Sequence, residues 1–107
     1  MKQLNLLKSG LEVLEAEYLE FMNYELPQYA KENNWFMQNN YSFQMVILDN
    51  IFGSNYETRL IEGIPPYLQL KETELKQAIN LANRIKTYGL PYLEALNLNS
   101  LSWRQKI

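Results

Sequence analysis

The chain has 107 residues, enough for one domain and too few for two, and its 47% apolar and 21% charged composition is globular and excludes a wholly disordered chain. With no cysteine and no histidine it cannot build a disulfide, a Ser-His-Asp or Cys-His catalytic arrangement, or the usual structural zinc sites. The net charge of −2 argues against a nucleic-acid binder, which ordinarily carries a basic stripe.

The first element is an amphipathic helix over 3–25. Leu4, Leu7, Leu11, Leu14, Tyr18 and Phe21 recur at spacings of three and four and form one apolar side. Glu12, Glu15, Glu17 and Glu20 fall off that side. Ser9 is either its N-cap or part of a weak point in a longer helix. Glu25 falls back onto the apolar side, and Pro27 disfavours helix in the residue before it, so the helix is expected to end near 25. The leucine seam is long for a monomer of this size, and a homodimer through it is one expectation. The start, MKQLNLLKSG, has no continuous apolar stretch or small-residue cleavage site, and no run approaches the ~20 apolar residues that span a bilayer. Neither a signal peptide nor a membrane association is expected, and the absence of cysteine fits the cytoplasm.

Pro27 suits the first position of a short second helix, which the ENN of Glu32 to Asn34 would end. Phe43, Ile47 and Ile51 lie four apart, Leu48 and Phe52 extend that face, and Gly53 suits a helix C-cap, so a helix is expected over 40–52. The rival is a buried strand, FQMVIL, closed by a turn at Asp49-Asn50. YETRLIEGIPPYLQL has two adjacent prolines and no helical period. It reads as an extended connection that inserts Ile64, Tyr67 and Leu68 into the core. A helix over 71–87 is marked by Leu75, Ala78, Ile79, Ala82 and Ile85 on one face, with Glu72 and Glu74 in the first turn and Lys86 in the last. Gly89 ends it, Pro91 starts another short helix, and Ser100 caps a final turn, with Leu101 and Trp103 turned inward and Arg104 near the surface, in reach of Asp49. The expected architecture is a single all-α domain over 1–107, a bundle of four to five helices with one irregular proline-containing mid-chain loop.

The chemistry open to such a chain is narrow. Glu17 and Glu20 share a helix face and could hold a magnesium ion weakly, but a solvated face explains them better, and no metal is expected. Gly10, Gly53, Gly63 and Gly89 form no phosphate-binding loop. No cofactor is expected. Trp35, Phe36, Tyr41, Trp103 and Arg104 are candidates for contact with a partner, because Tyr, Trp and Arg are favoured at interfaces, while ordinary core packing explains Trp35 and Trp103 somewhat better. Asp49 and Arg104 are the candidates for a reactive pocket if they meet in space.

Three stretches, FQMVILDNIFG, LKQAINLANRI and LNLNSLSWRQK, resemble a small bacterial family of uncharacterised proteins of about this length. The likeness spans 35–106 and includes the proline-containing connection and a terminal LN-x-x-SL-x-x-R. Some members of that family are labelled acetyltransferases. That superfamily cradles its cofactor on a Gly-rich turn after a strand, and this sequence has no such turn, so the resemblance implies the family and not the enzyme name. The expected function is that of a small acidic helical module, without catalytic activity, that binds another protein or itself. The alternatives are an enzyme or enzyme subunit using Asp, Tyr or Arg, and a nucleic-acid binder or DNA-mimicking inhibitor.

Overall fold

A computed structural model describes residues 10–106, and these are all-α. Leu4, Leu7 and Ser9, with the N-terminal part of the leucine seam, lie outside the described residues. Among the described residues no helix is long and apolar enough to cross a membrane.

Helix α1 (Gly10–Glu20) passes without interruption into a π turn (Phe21–Glu25) and then α2 (Leu26–Glu32). The expected break at Pro27 is therefore absent. Proline has no N–H for the carbonyl four residues back, and its ring crowds that carbonyl. The π turn widens the helix just before it, so that Leu26 N–H reaches Phe21 O, five residues back. The extra residue per turn also resets the apolar face. Tyr18, Phe21, Met22, Leu26 and Ala30 are all buried, while Glu25 is half-exposed and pairs with Lys86 at 3.1 Å. Lys86 also sits 5.9 Å from the Phe21 ring centroid and 5.8 Å from that of Tyr29. Helix α2 closes with Asn34 in the left-handed region (φ 55°), Trp35 N–H on Ala30 O and Asn34 N–H on Lys31 O, a Schellman end that turns Trp35 inward.

Helix α3 (Asn40–Phe52) is helical throughout, which rules out the strand reading of FQMVIL. Asn39 caps it by accepting from Ser42 N at 2.7 Å, and Gly53, at φ 65°, ends it. Phe43, Val46, Ile47, Leu48 and Asp49 are all sealed from solvent, which makes α3 the central helix. Helix α4 (Glu72–Tyr88) buries the predicted face of Leu75, Ala78, Ile79, Ala82 and Ile85. The Glu74 carboxylate reaches back to Lys71 N at 2.8 Å and closes its first turn.

Helix α5 (Leu90–Trp103) is a single helix, where a short helix and a separate capped turn are expected from sequence. The reason lies in its partners. Asn50 on α3 donates to Leu96 O at 3.0 Å and accepts from Asn99 at 3.0 Å, and the Ser100 hydroxyl bonds Asp49. Ser100 thus spends its hydroxyl across the helix interface and caps nothing.

The segment 54–70 contains two short 3-10 turns, Tyr56–Thr58 and Pro66–Leu68. It does not insert Ile64 and Leu68 into the core. These are 44% and 54% exposed, whereas Tyr56 and Leu70 are buried and Tyr67 packs on the core edge. The Gln69 side chain explains the difference. Its Nε2 donates to Ile61 O and Ile64 O, and its Oε1 accepts from Ile61 N at 2.7 Å, so residues 61–64 close on Gln69 and leave the Ile61 and Ile64 side chains in solvent, while Leu60 and Tyr67 pack on the core.

Candidate functional site

Two sites emerge, one sealed and one open, and they share Tyr56 and Glu57. The sealed one is built around Asp49, in the last turn of α3. Asp49 has no solvent exposure. Its Oδ1 accepts from Tyr56 N at 2.8 Å and from Arg104 Nη2 at 3.1 Å. Its Oδ2 accepts from the Ser100 hydroxyl and from Arg104 Nε at 2.7 Å. Four donors thus satisfy a carboxylate that would otherwise be costly to bury. Leu96, Ser100 and Arg104 lie four apart on α5, which brings them onto one face.

Arg104 is the linchpin on the other side. Its guanidinium forks onto Asp49, sends Nη1 to Glu57 Oε1 at 3.0 Å, and lies 5.6 Å from the centroid of the Tyr56 ring. The hydrogen bond to Asp49 is the main cause holding the guanidinium above its ordinary pKa. Only 13% of its side chain is exposed. The tail is docked, but by a different residue than expected. Arg104 turns in, Trp103 is 37% exposed, and Leu101 is half-buried. The reason is that the helix runs on through Trp103, with Arg104 N–H on Ser100 O at 3.0 Å, so position 104 falls one turn beyond Ser100 on the face of Asp49, and a second Schellman end follows, with Gln105 at φ 59° and Lys106 N–H on Leu101 O at 2.8 Å.

The open site is a cleft of about 400 Å³ beside the first turns of α3. Tyr41 and Gln44 line it from α3, and Tyr56, Glu57, Ile61 and Glu62 are among those that line it from the loop. Tyr41 is 58% exposed and Ile61 67%. At its floor Gln44 accepts from the buried Tyr18 hydroxyl at 3.0 Å. Burial pushes the Tyr56 hydroxyl up to about 12, and Tyr41 and Glu57 add to the rise. Burial, and after it Tyr56, raises Tyr18 further.

The remaining sequence candidates are scattered. Trp35 is buried and meets Tyr29 edge-on at 5.4 Å. Phe36 is exposed and lines a separate, shallow groove with Lys31 and Asn40. Asp49 and Arg104 do meet, but neither lines the Tyr41–Ile61 cleft or the grooves at Phe36, Tyr24 and Asn80. Glu17 and Glu20 are exposed on α1, and among the described residues no group of three or more acidic side chains is placed to hold a metal. Sequence reasoning missed Ser100, Tyr56, Glu57, Ile61 and Glu62. Ser100 was findable, since its spacing of four from the candidate Arg104 marks a shared face once α5 is taken as continuous. The loop residues carry no periodic signal.

No protein-family model, curated protein or solved structure matches the chain. The resemblance to the small bacterial family therefore rests on its motifs. Asp49, Ser100 and Arg104, which lie within those stretches, meet in the sealed cluster.

Proposed function

We propose that this chain is a small, non-catalytic, protein-binding module of the cytoplasm, that it belongs to the small bacterial family its motifs resemble, and that its binding face is the Tyr41–Ile61 cleft. The observation that carries the reading is the make-up of that cleft. Ile61, Ile64 and Tyr41 present large apolar surfaces to solvent around a pocket-sized depression, where contact with a partner removes them from water. The enzyme reading rests on Asp49, and its carboxylate is sealed and bonded to four donors. That is the chemistry of a structural clasp. The nucleic-acid reading loses Arg104, which is spent on Asp49 and Glu57, and Lys86, which is spent on Glu25.

The test is affinity capture with the wild type and with Ile61→Asp side by side. Ile61 is exposed, so the variant should keep the wild-type thermal midpoint. A partner retained by the wild type and lost with Ile61→Asp supports the reading. A partner held equally by both contradicts it.

A further inference from the structure

The charged groups lining the cleft are both carboxylates. Glu57 is half-exposed and gives one oxygen to Arg104, and Glu62 is exposed and makes no ion pair among the described residues. No lysine or arginine lines the cleft. Arg104 commits its guanidinium to Asp49 and to one oxygen of Glu57, and Arg59, next to Leu60 in sequence, turns onto Phe52. An anionic ligand would meet two like charges and no donor cation, whereas a base would find Glu62 uncommitted and the second oxygen of Glu57 free of Arg104. Leu60, Ile61, Ile64 and Pro66 give the lining its apolar side-chain surface, beside the polar Gln44 and the Tyr56 ring. Tyr41 adds an exposed ring beside the carboxylates, where a cation gains from both. Leu68, 54% exposed on the same loop, carries apolar surface beyond the cleft itself, which suits a chain segment better than a small molecule.

We propose that the cleft takes a basic, apolar segment of a partner protein, with a leucine-like side chain between Ile61 and Ile64 and a lysine or arginine at Glu62. The proposal rests on the binding-module reading and adds the chemistry of the partner. Complementary charge of this kind sets specificity and the rate of encounter and is weakened by salt, while the apolar contact supplies most of the affinity.

The experiment measures fluorescence anisotropy of three short acetylated peptides, of alternating Lys and Leu, Glu and Leu, and Lys and Ser. Each is titrated with wild type, Glu62→Lys and Ile61→Asp. The Lys-Leu peptide should bind the wild type, and each variant should weaken it by about tenfold, or ~1.4 kcal/mol. Raising salt from about 50 mM to about 500 mM should weaken it further, as screening shortens the range of the charges. The Glu-Leu and Lys-Ser peptides should bind at least about tenfold less tightly. Equal binding of Glu-Leu, equal binding of Lys-Ser, or no effect of Glu62→Lys overturns the proposal. So does self-association in sedimentation that Ile61→Asp abolishes, because the occupant is then a second copy. If capture still distinguishes wild type from Ile61→Asp while Lys-Leu fails, the ligand chemistry is wrong and the module reading stands. If both fail, the module reading falls too.

Discussion

The Asp49 cluster and the Tyr41–Ile61 cleft touch the same two residues, Tyr56 and Glu57, yet they are built on opposite principles. In the cluster every acceptor of a buried carboxylate is matched by a donor, and three segments of chain, α3, the 56–58 turn and the end of α5, are held together by it. In the cleft the apolar groups are left in water and one carboxylate is left without a cation among the described residues. Polar residues that are fully satisfied and out of reach hold a fold. Apolar residues that are exposed and grouped are available to a partner. The comparison teaches that the most reactive-looking carboxylate here, Asp49, is fully buried and fully bonded.

The largest effect that sharpens this contrast is expected for Asp49→Ala. It leaves Arg104 without its main partner and Tyr56 N–H without an acceptor, and breaking a buried pair costs ~3–5 kcal/mol. Urea unfolding should show that loss, and a change below about 1 kcal/mol would break the contrast. Ser100→Ala removes one of the four donors and should cost about 1–3 kcal/mol by the same measurement.

A third expectation concerns alkaline pH. The Tyr56 hydroxyl is pushed up to about 12 from an ordinary 10.0, with Tyr18 raised in the same direction, so the folded state favours the neutral phenols. Their contribution is fully present below pH ~10 and is lost as pH rises through ~12. Absorbance near 295 nm should show most tyrosines ionising first, with a late group that ionises together with the loss of helical circular dichroism. A single early transition for all eight tyrosines would contradict the sealed floor of the cleft. The smallest effect is expected for Glu57→Gln. Its ion pair is half-exposed, so the stability change should stay within ~1 kcal/mol while the affinity for the Lys-Leu peptide falls.

How much of this was legible depended on whether a residue's role is local. The α4 face, Leu75 through Ile85, was readable because periodicity alone sets it. The α3 helix and its glycine end were readable for the same reason. Pro27 misled, because the π turn that accommodates it has no sequence mark of its own. Ser100 misled because its preference for caps is intrinsic, whereas its bond to Asp49 spans fifty-one positions and exists only once α3 and α5 pack. Arg104 was placed within reach of Asp49, but at the surface, since its inward position follows only once α5 runs unbroken past Ser100. The cleft was invisible. One wall is the start of α3, and the other is an aperiodic loop whose shape depends on Gln69 bonding to Ile61 and Ile64.

The central claim is that the Asp49 cluster holds the fold while the exposed 61–64 stretch of the cleft loop is held, among the described residues, only by Gln69. Native-state hydrogen exchange tests this at two amides, Tyr56 N–H, held by Asp49, and Ile61 N–H, held by the Gln69 side chain. The account predicts that Tyr56 exchanges only through global unfolding and that Ile61 exchanges by local opening at far lower free energy. Equal protection of the two amides, or faster exchange at Tyr56, would contradict it.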